Sequence, residues 1–499
     1  MSFPRRSSSS VSVARGAVLV VGMRWTDRLI GIVSTLILAR LLIPDDFGIV
    51  AMASLVVVLI DTLLDLGVNV ALVQNREASR DDFDTAWTLR LLQSALAALL
   101  IACFGAPLAA EYFNDPRVTD VLRVMAVAVL LGGFENIGIV TFQKNMEFGR
   151  DFRFFFLRRV AGFIVTIALA FWLRSYWAMV LGALAGRIVG VGLSYALHEF
   201  RPSFSLVKLS SLWSFSQWIL LRNLGNYGAQ QTDKLLVGRR NDASTLGAYS
   251  LADEISAMPT GEVLMPLGRV LFPAFVRVLD RPEELRRAFC LALGVQTLIA
   301  LPFGVGLALV APIAVPLLLG DQWLIAVPFV QLLALVNVAT ALSHSSGYLL
   351  LALGKVRLQA LLSWGQFALL LVVTLLIFPA GGAENIAGLR LVISIAAMIA
   401  LLILTMNAVR ILKYMDIITQ TWRPILATSS MVGLLLMLNL PSDWPLVLQL
   451  MVEIVLGAAV YGTLILLLWR GGSNSESAES YLLNTLRIKE RLMRLCGRS

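Results

Sequence analysis

The sequence predicts an all-α, polytopic membrane protein of about fourteen transmembrane helices, arranged as two pseudo-symmetric six-helix lobes and two C-terminal helices. Three observations carry that prediction. The 499 residues are 58% hydrophobic and 15% charged, with a mean hydropathy of +0.80. A water-soluble domain of that length cannot bury so much apolar surface. The apolar residues come in continuous runs of the length a spanning helix needs. They lack the period-two alternation of a transmembrane β-barrel. The lysines and arginines gather in alternate loops, as they do when a chain weaves through a bilayer.

Fourteen apolar segments follow one another at 16–38, 47–72, 83–107, 118–141, 153–173, 176–198, 213–238, 244–272, 287–309, 325–350, 357–378, 387–409, 422–440 and 446–469. Helices suit them, since lipid offers backbone groups no partner. Kinks are expected at Pro259, Pro266, Pro302 and Pro328. The opening MSFPRRSSSS has no small-residue cleavage site after it, so it reads as a basic tail rather than a removable signal peptide. With the N-terminus inside, the inner loops carry 27 of the 41 lysines and arginines and the outer loops 5, counting Arg153, Arg158 and Arg159 with the loop ahead of the fifth segment. That bias puts both termini in the cytoplasm. It also accounts for the net charge of +9, which therefore argues for no nucleic-acid partner.

The chain divides into a cytoplasmic N-terminal tail at 1–15, an N-lobe at 16–198, a C-lobe at 213–409, spans 13 and 14 at 422–469, and a basic tail at 470–499. The last 20 residues suit a helix lying on the anionic inner leaflet. The two lobes rest on a weak internal repeat. Arg40 and Phe47-Gly48-Ile49 match Arg239 and Leu246-Gly247-Ala248 at an offset of 199. Ala106-Pro107-Leu108-Ala109 matches Ala311-Pro312-Ile313-Ala314 at an offset of 205, and Gly149-Arg150 matches Gly354-Lys355 at the same offset. A repeat of six spans keeps its in/out sense. Two such bundles with a site between them are the architecture of alternating-access transport.

Chemistry-bearing residues are few outside the charges. Cys103, Cys290 and Cys496 lie too far apart for a disulfide framework or a thiolate metal site, and His198 and His344 are too few for a histidine metal centre. No cofactor or metal is implied. The ionisable residues inside spans are the candidates for function, because they are costly in lipid and usually face water or a partner. Arg24, Asp27 and Arg28 share one stripe of the first span, and Asp61 and Asp65 one stripe of the second. Arg24 with Asp65, and Arg28 with Asp61, stand at matching depths. Arg222 and Glu262 do so in the second lobe, and Arg90, Glu135, Arg187 and Arg269 supply further single charges. One reading makes these structural ion pairs. The other makes Arg24, Arg28, Arg222, Arg90, Arg187 and Arg269 holders of an anionic head group, since a guanidinium stays charged and grips phosphate with two parallel bonds. Asp27, Asp61 and Asp65 would then be groups that couple transport to a proton or sodium ion.

The stretch Ala39-Arg40-Leu41-Leu42-Ile43-Pro44-Asp45-Asp46-Phe47-Gly48, running on through Ala51-Met52-Ala53, resembles the first-loop signature of the polysaccharide biosynthesis transporters. Asp65-Leu66-Gly67, Ala71-Leu72-Val73-Gln74 and Gln143-Lys144-Asn145-Met146-Glu147-Phe148 continue it. More narrowly, the chain resembles the Wzx-type and colanic-acid-type oligosaccharide flippases of the multidrug/oligosaccharidyl-lipid/polysaccharide superfamily. The resemblance implies a multi-pass protein of the bacterial inner membrane that moves polyprenyl-pyrophosphate-linked oligosaccharides between leaflets, without catalysing a reaction. It implies membrane lipids and the polysaccharide polymerase machinery as neighbours. The first-loop motif also has a plain structural role: Pro44 starts a helix, Asp45 and Asp46 favour its N-terminal dipole, and Gly48 permits close packing.

Two alternatives stay open at this point. A drug or cation antiporter of the same superfamily would want an acidic, aromatic lumen in place of Arg24 and Arg28. A membrane-embedded polysaccharide polymerase would need a sizeable aqueous loop, whereas loops such as Gly320–Trp323 are short.

Overall fold

Each apolar run of the sequence winds into a helix. The structure, a computed structural model, describes residues 9–64, 72, 79–145, 147–377, 381–438, 440–441, 443–471 and 478–485. In order the helices are α1 (Ser9–Leu41), α2 (Pro44–Leu64), α3 (Arg80–Leu100), α4 (Ala106–Phe113), α5 (Arg117–Gly133), α6 (Val140–Lys144), α7 (Phe148–Leu173) and α8 (Trp177–Leu197). They continue as α9 (Leu209–Arg240), α10 (Ala243–Arg277), α11 (Pro282–Leu319), α12 (Val327–Ala352), α13 (Val356–Leu376), α14 (Ala383–Ala408), α15 (Tyr414–Met437), α16 (Leu446–Gly471) and α17 (Ala478–Thr485). Over its described residues every predicted apolar segment falls on one of them, or on two at 83–107 and 118–141. Among the described residues nine helical stretches are long and apolar enough to cross a membrane, or ten when the bent pair α5 and α6 is one span. The chain is thus a multi-pass membrane protein.

The helices gather into two compact units. Unit 1 holds Met1–Gln231 with Gly238–Gly247, and unit 2 holds Thr232–Val237 with Ala248–Ser499. In unit 1, α7 packs along α8, α1 along α7, α3 along α5, and α5 against α2 and α8. Glycines set the α7–α8 seam: a Cβ on Gly162 would sit 3.4 Å from the Gly182 carbonyl oxygen and 3.5 Å from the Gly186 Cα. In unit 2, α11 packs on α12, α15 and α16, and α12 on α14.

Local chemistry starts and joins these helices. Ser79 caps α3 in a reciprocal box with Asp82, the Ser79 amide donating to Asp82 at 2.8 Å. Such a cap contributes about 1 kcal/mol. Pro44 opens α2, and Asp46 accepts from the Ile43 amide at 3.2 Å and from the Tyr176 amide at 2.9 Å, tying α2 to the start of α8. Arg117 bridges Asp45 at 2.6 Å and Asp115 at 2.7 Å. At Gly48 a Cβ would overlap the Ala243 carbonyl, and at Gly247 it would overlap the Pro44 carbonyl. The repeat-related glycines of α2 and α10 therefore pack backbone to backbone within unit 1. The first-loop motif is accounted for by these structural contacts.

Of the prolines expected to kink helices, Pro328 lies in the first turn of α12, where its missing N–H costs nothing. Pro259 and Pro266 lie within α10, and Pro302 within α11. A further sharp break, 67°, separates α5 from the turn and helix that follow it at Ile137–Lys144, with no proline there. Gly132 and Gly133 weaken the helix before it. Asn136, fully buried, then fixes the turn. Its side chain accepts from the Gly138 amide at 2.9 Å and donates to the Phe200 carbonyl at 2.6 Å, while its own amide donates to Ser194 Oγ at 2.9 Å.

The C-terminal helix does more than face lipid. Ala478 packs on Gly294 of α11, Glu479 pairs with the buried Arg423 of α15 at 3.7 Å, and Trp469 of α16 donates to Ser480 Oγ at 2.8 Å. The rest of the basic tail, 486–499, lies outside the described residues.

Candidate functional site

The break between α5 and α6 places Glu135 among helices of unit 1, and three arginines surround it. Arg90 of α3 donates Nη2 to Glu135 Oε2 at 2.8 Å. Arg158 of α7 holds Glu135 Oε1 through Nη1 at 3.5 Å. Arg187 of α8 borders the same space, with Nη1 3.4 Å from where a Cβ on Gly132 would lie. Gly190 of α8 makes room for the Arg158 stem, whose Cδ a Cβ there would meet at 3.0 Å.

The three arginines hold like positions along their helices. Arg90 lies ten residues past the start of α3, Arg158 ten past the start of α7, and Arg187 ten before the end of α8. At 1.5 Å per residue each is about 15 Å from that end of its helix. Charges inside a spanning helix demand partners or water. The Glu135 side chain is 5% exposed, those of Arg90 and Arg158 22% and 24%. Among the described residues three guanidiniums and one carboxylate leave the cluster at +2. Among the described residues no carboxylate lies within ion-pair distance of Arg187, and Arg90 and Arg158 spend one nitrogen each on Glu135. The arrangement therefore offers a half-open set of forked donors to an anion.

A neighbouring pair is neutral. Arg159 of α7 holds Asp27 of α1 at 3.2 Å, and its Nη2 lies 3.2 Å from where a Cβ on Gly31 would be. Arg28, half-buried on α1, is not free of partners, nor is Asp61 on the exposed side of α2. Unit 2 has its own cluster, on α9, α10 and α14. Arg390 bridges Asp233 and Asp253, the latter at 3.2 Å, Lys234 pairs with Asp253 at 2.7 Å, and the buried Tyr249 hydroxyl donates to Asp233 at 2.6 Å. Two acids and two bases cancel there, so that cluster offers no net charge to a ligand.

The structure thus brings Arg90 and Arg187 together and gives Asp27 a partner. The side chains of Arg24, Arg222 and Arg269, and Asp65 altogether, lie outside the described residues. Arg158 and Arg159 escaped the sequence reading. It began the fifth span at 153 and counted both with the loop, whereas α7 begins at Phe148 and carries them well inside. The signal was present in the run Phe148–Phe156, whose aromatic residues extend the apolar segment toward the N-terminus.

Comparison with known proteins places this geometry. A profile of the family described as polysaccharide biosynthesis protein matches residues 37–328, more than half of the chain. The chain belongs to that family. Among relatives of this polysaccharide biosynthesis protein, the lipopolysaccharide biosynthesis protein WzxC of Escherichia coli (strain K12) is 24% identical over 351 residues, 69% of each chain. The succinoglycan biosynthesis transport protein ExoT of Rhizobium meliloti (strain 1021) is 28% identical over 273 residues, 54% of this chain and 55% of the relative. The latter match thus spans about half the relative's length. In fold, the family member resembles the lipid II flippase MurJ, with a TM-score of 0.73 at 11% identity over 91% of this chain and 99% of the other. It also resembles an inward-facing multidrug resistance transporter of the MATE family, with a TM-score of 0.60 at 14% identity over 77% and 94%.

Proposed function

We propose that this protein is a flippase for polyprenyl-pyrophosphate-linked oligosaccharides in the bacterial inner membrane, and that Arg90, Arg158 and Arg187 meet the diphosphate of the cargo. The observation that carries the reading is the cluster in unit 1, which among the described residues holds three arginines on one glutamate. A sugar diphosphate cannot enter hydrocarbon unaided, while its polyprenyl tail is at home there. A protein that passes such a lipid between leaflets needs a polar stop for the head and no chemistry. Guanidiniums suit that task, because they stay charged at any working pH and bind phosphate through paired N–H groups. The family, with relatives named for lipopolysaccharide biosynthesis and succinoglycan transport, supports the cargo class.

Transport by alternating access, with both termini in the cytoplasm and no catalysed reaction, completes the proposal. Arg24, Arg28, Arg222 and Arg269 stay proposed cargo contacts, and Asp27, Asp61 and Asp65 proposed coupling groups for a proton or sodium ion. A cation antiporter is disfavoured by the sign of the unit 1 cluster, which would repel its substrate.

The test is polymer export in cells that depend on this chain as their exporter. Arg187→Ala and Arg90→Ala should each lower surface polymer at least tenfold with normal protein in the membrane. Normal export by the Arg90/Arg187 double variant at normal protein level removes the cluster from the transport path.

A further inference from the structure

We propose that Glu135 tempers the grip of the arginine cluster, so that a bound diphosphate can be released. It trims the arginine cluster to a charge of +2, so that a diphosphate diester, which carries two negative charges, leaves the loaded site electroneutral. The inference rests on the cargo class proposed above and adds how the site lets that cargo go.

The geometry argues for a carboxylate that stays in place rather than one that is displaced. Glu135 is the most buried member of the cluster, at 5% exposed. It takes Nη2 of Arg90 and Nη1 of Arg158, and leaves the other nitrogens of both forks without a bond to any described residue. Among the described residues Arg187 has no carboxylate partner. A diphosphate can therefore be gripped by three guanidiniums without removing Glu135. Charge decides the matter further. With Glu135 ionised and a doubly negative ligand bound, three positive charges meet three negative ones. If Glu135 were displaced and protonated, the loaded site would keep a net positive charge in a low-dielectric layer, where net charge is costly. The charged groups that face Glu135 are Arg90 from α3, Arg158 from α7 and Arg187 from α8. The α2 helix, which also packs on α5, carries Asp61, and the adjacent Arg159–Asp27 pair is neutral.

Removal of a purely structural carboxylate loosens the arginines and weakens binding. Removal of a charge-trimming carboxylate leaves an excess positive charge and tightens it. The two roles thus predict opposite signs for Glu135→Gln.

The experiment uses the purified full-length protein in lipid nanodiscs and two probes, farnesyl-diphospho-N-acetylglucosamine and farnesyl-phospho-N-acetylglucosamine. The first carries two negative charges and the second one, and neither titrates near neutrality. The wild type should prefer the diphosphate by about tenfold or more. Glu135→Gln should bind the diphosphate about tenfold more tightly and release it more slowly, and Glu135→Asp should behave as the wild type. Arg187→Gln, which lowers the cluster to +1, should narrow the preference for the diphosphate about tenfold. Weaker binding by Glu135→Gln, or a preference that Arg187→Gln leaves unaltered, overturns the role of Glu135 while the cargo reading stands. A wild type that binds neither probe overturns the cargo reading, and this inference with it.

Discussion

Arg117 shows how one side chain secures a helix junction. Its guanidinium reaches Asp45 at the start of α2 and Asp115 ahead of α5. Burial raises the Asp115 carboxyl, but the hydrogen bonds from the Arg117 side chain and backbone outweigh it and hold the group below the usual carboxylate range. A carboxyl depressed in the folded state contributes stability above its unfolded value of about 3.9, and loses it as the pH falls through the folded value. Arg117→Gln should therefore lower the melting temperature in detergent by a margin that is constant from pH 7 to about pH 5 and closes below about pH 4. A partly exposed pair of this kind is worth about 1 kcal/mol or less. A margin that widens on acidification contradicts the assignment. At this scale the site was half legible. Arg90, Glu135 and Arg187 stand out in the sequence because a charge inside an apolar run is expensive. Their convergence does not, since periodicity orders residues along one helix and says nothing of which helices touch. Arg158 was hidden by five residues of error at the start of α7.

Among the elements, the close crossing of α2 and α10 and the break after α5 carry the most information. Gly48 and Gly247 are the repeat-related pair, and each lacks the Cβ that the other helix's backbone would exclude. Gly48→Ala must move a backbone rather than a flexible side-chain tip, so it should cost about 1–3 kcal/mol. Gly261→Ala in α10 has nothing within 4 Å of the new Cβ and should be neutral or stabilising by up to about 1 kcal/mol. Unfolding in detergent would compare the two. Equal effects would mean that the crossing is looser than the structure gives. At the break, Asn136→Ala removes the acceptor for the Gly138 amide and the donor to the Phe200 carbonyl in a fully buried place. A loss of about 2–4 kcal/mol is expected, from two unsatisfied buried groups. Because the same turn carries Glu135, head-group binding should fall with it, and full stability together with full binding would sink this account of the break. The helices themselves were legible from hydropathy, whereas this break was not. Proline was the signal sought, and the turn is made by paired glycines and a buried asparagine.

For the whole molecule, we propose an orientation in the bilayer from how charge is shared between the two sides. On that proposal Lys355, Arg357, Arg410 and Lys413 fall inside, and the loops at Asn114 and Asp321 outside. The α11 helix runs from the first side to the second, and α12 returns. Among the described residues α1, α9, α10 and α15 are not among the stretches of clear spanning character, and the crossing of α15 sets on which side α16 begins. The exposed Tyr414, Met415, Ile418, Trp422, Ile425 and Leu426 of α15 suit contact with lipid, while its Arg423 is buried with Glu479 rather than left in hydrocarbon. A charge satisfied in that way lets a helix span at little cost. Single cysteines in a background without Cys103, Cys290 and Cys496 read this out. An impermeant maleimide should label Asn114→Cys, Asp321→Cys and Asp443→Cys on intact spheroplasts, and Lys355→Cys and Lys413→Cys only after permeabilisation. Labelling of the Lys413 and Asp443 positions from one side would show that α15 lies along the surface, and labelling of all five in the opposite sense would reverse the chain in the membrane.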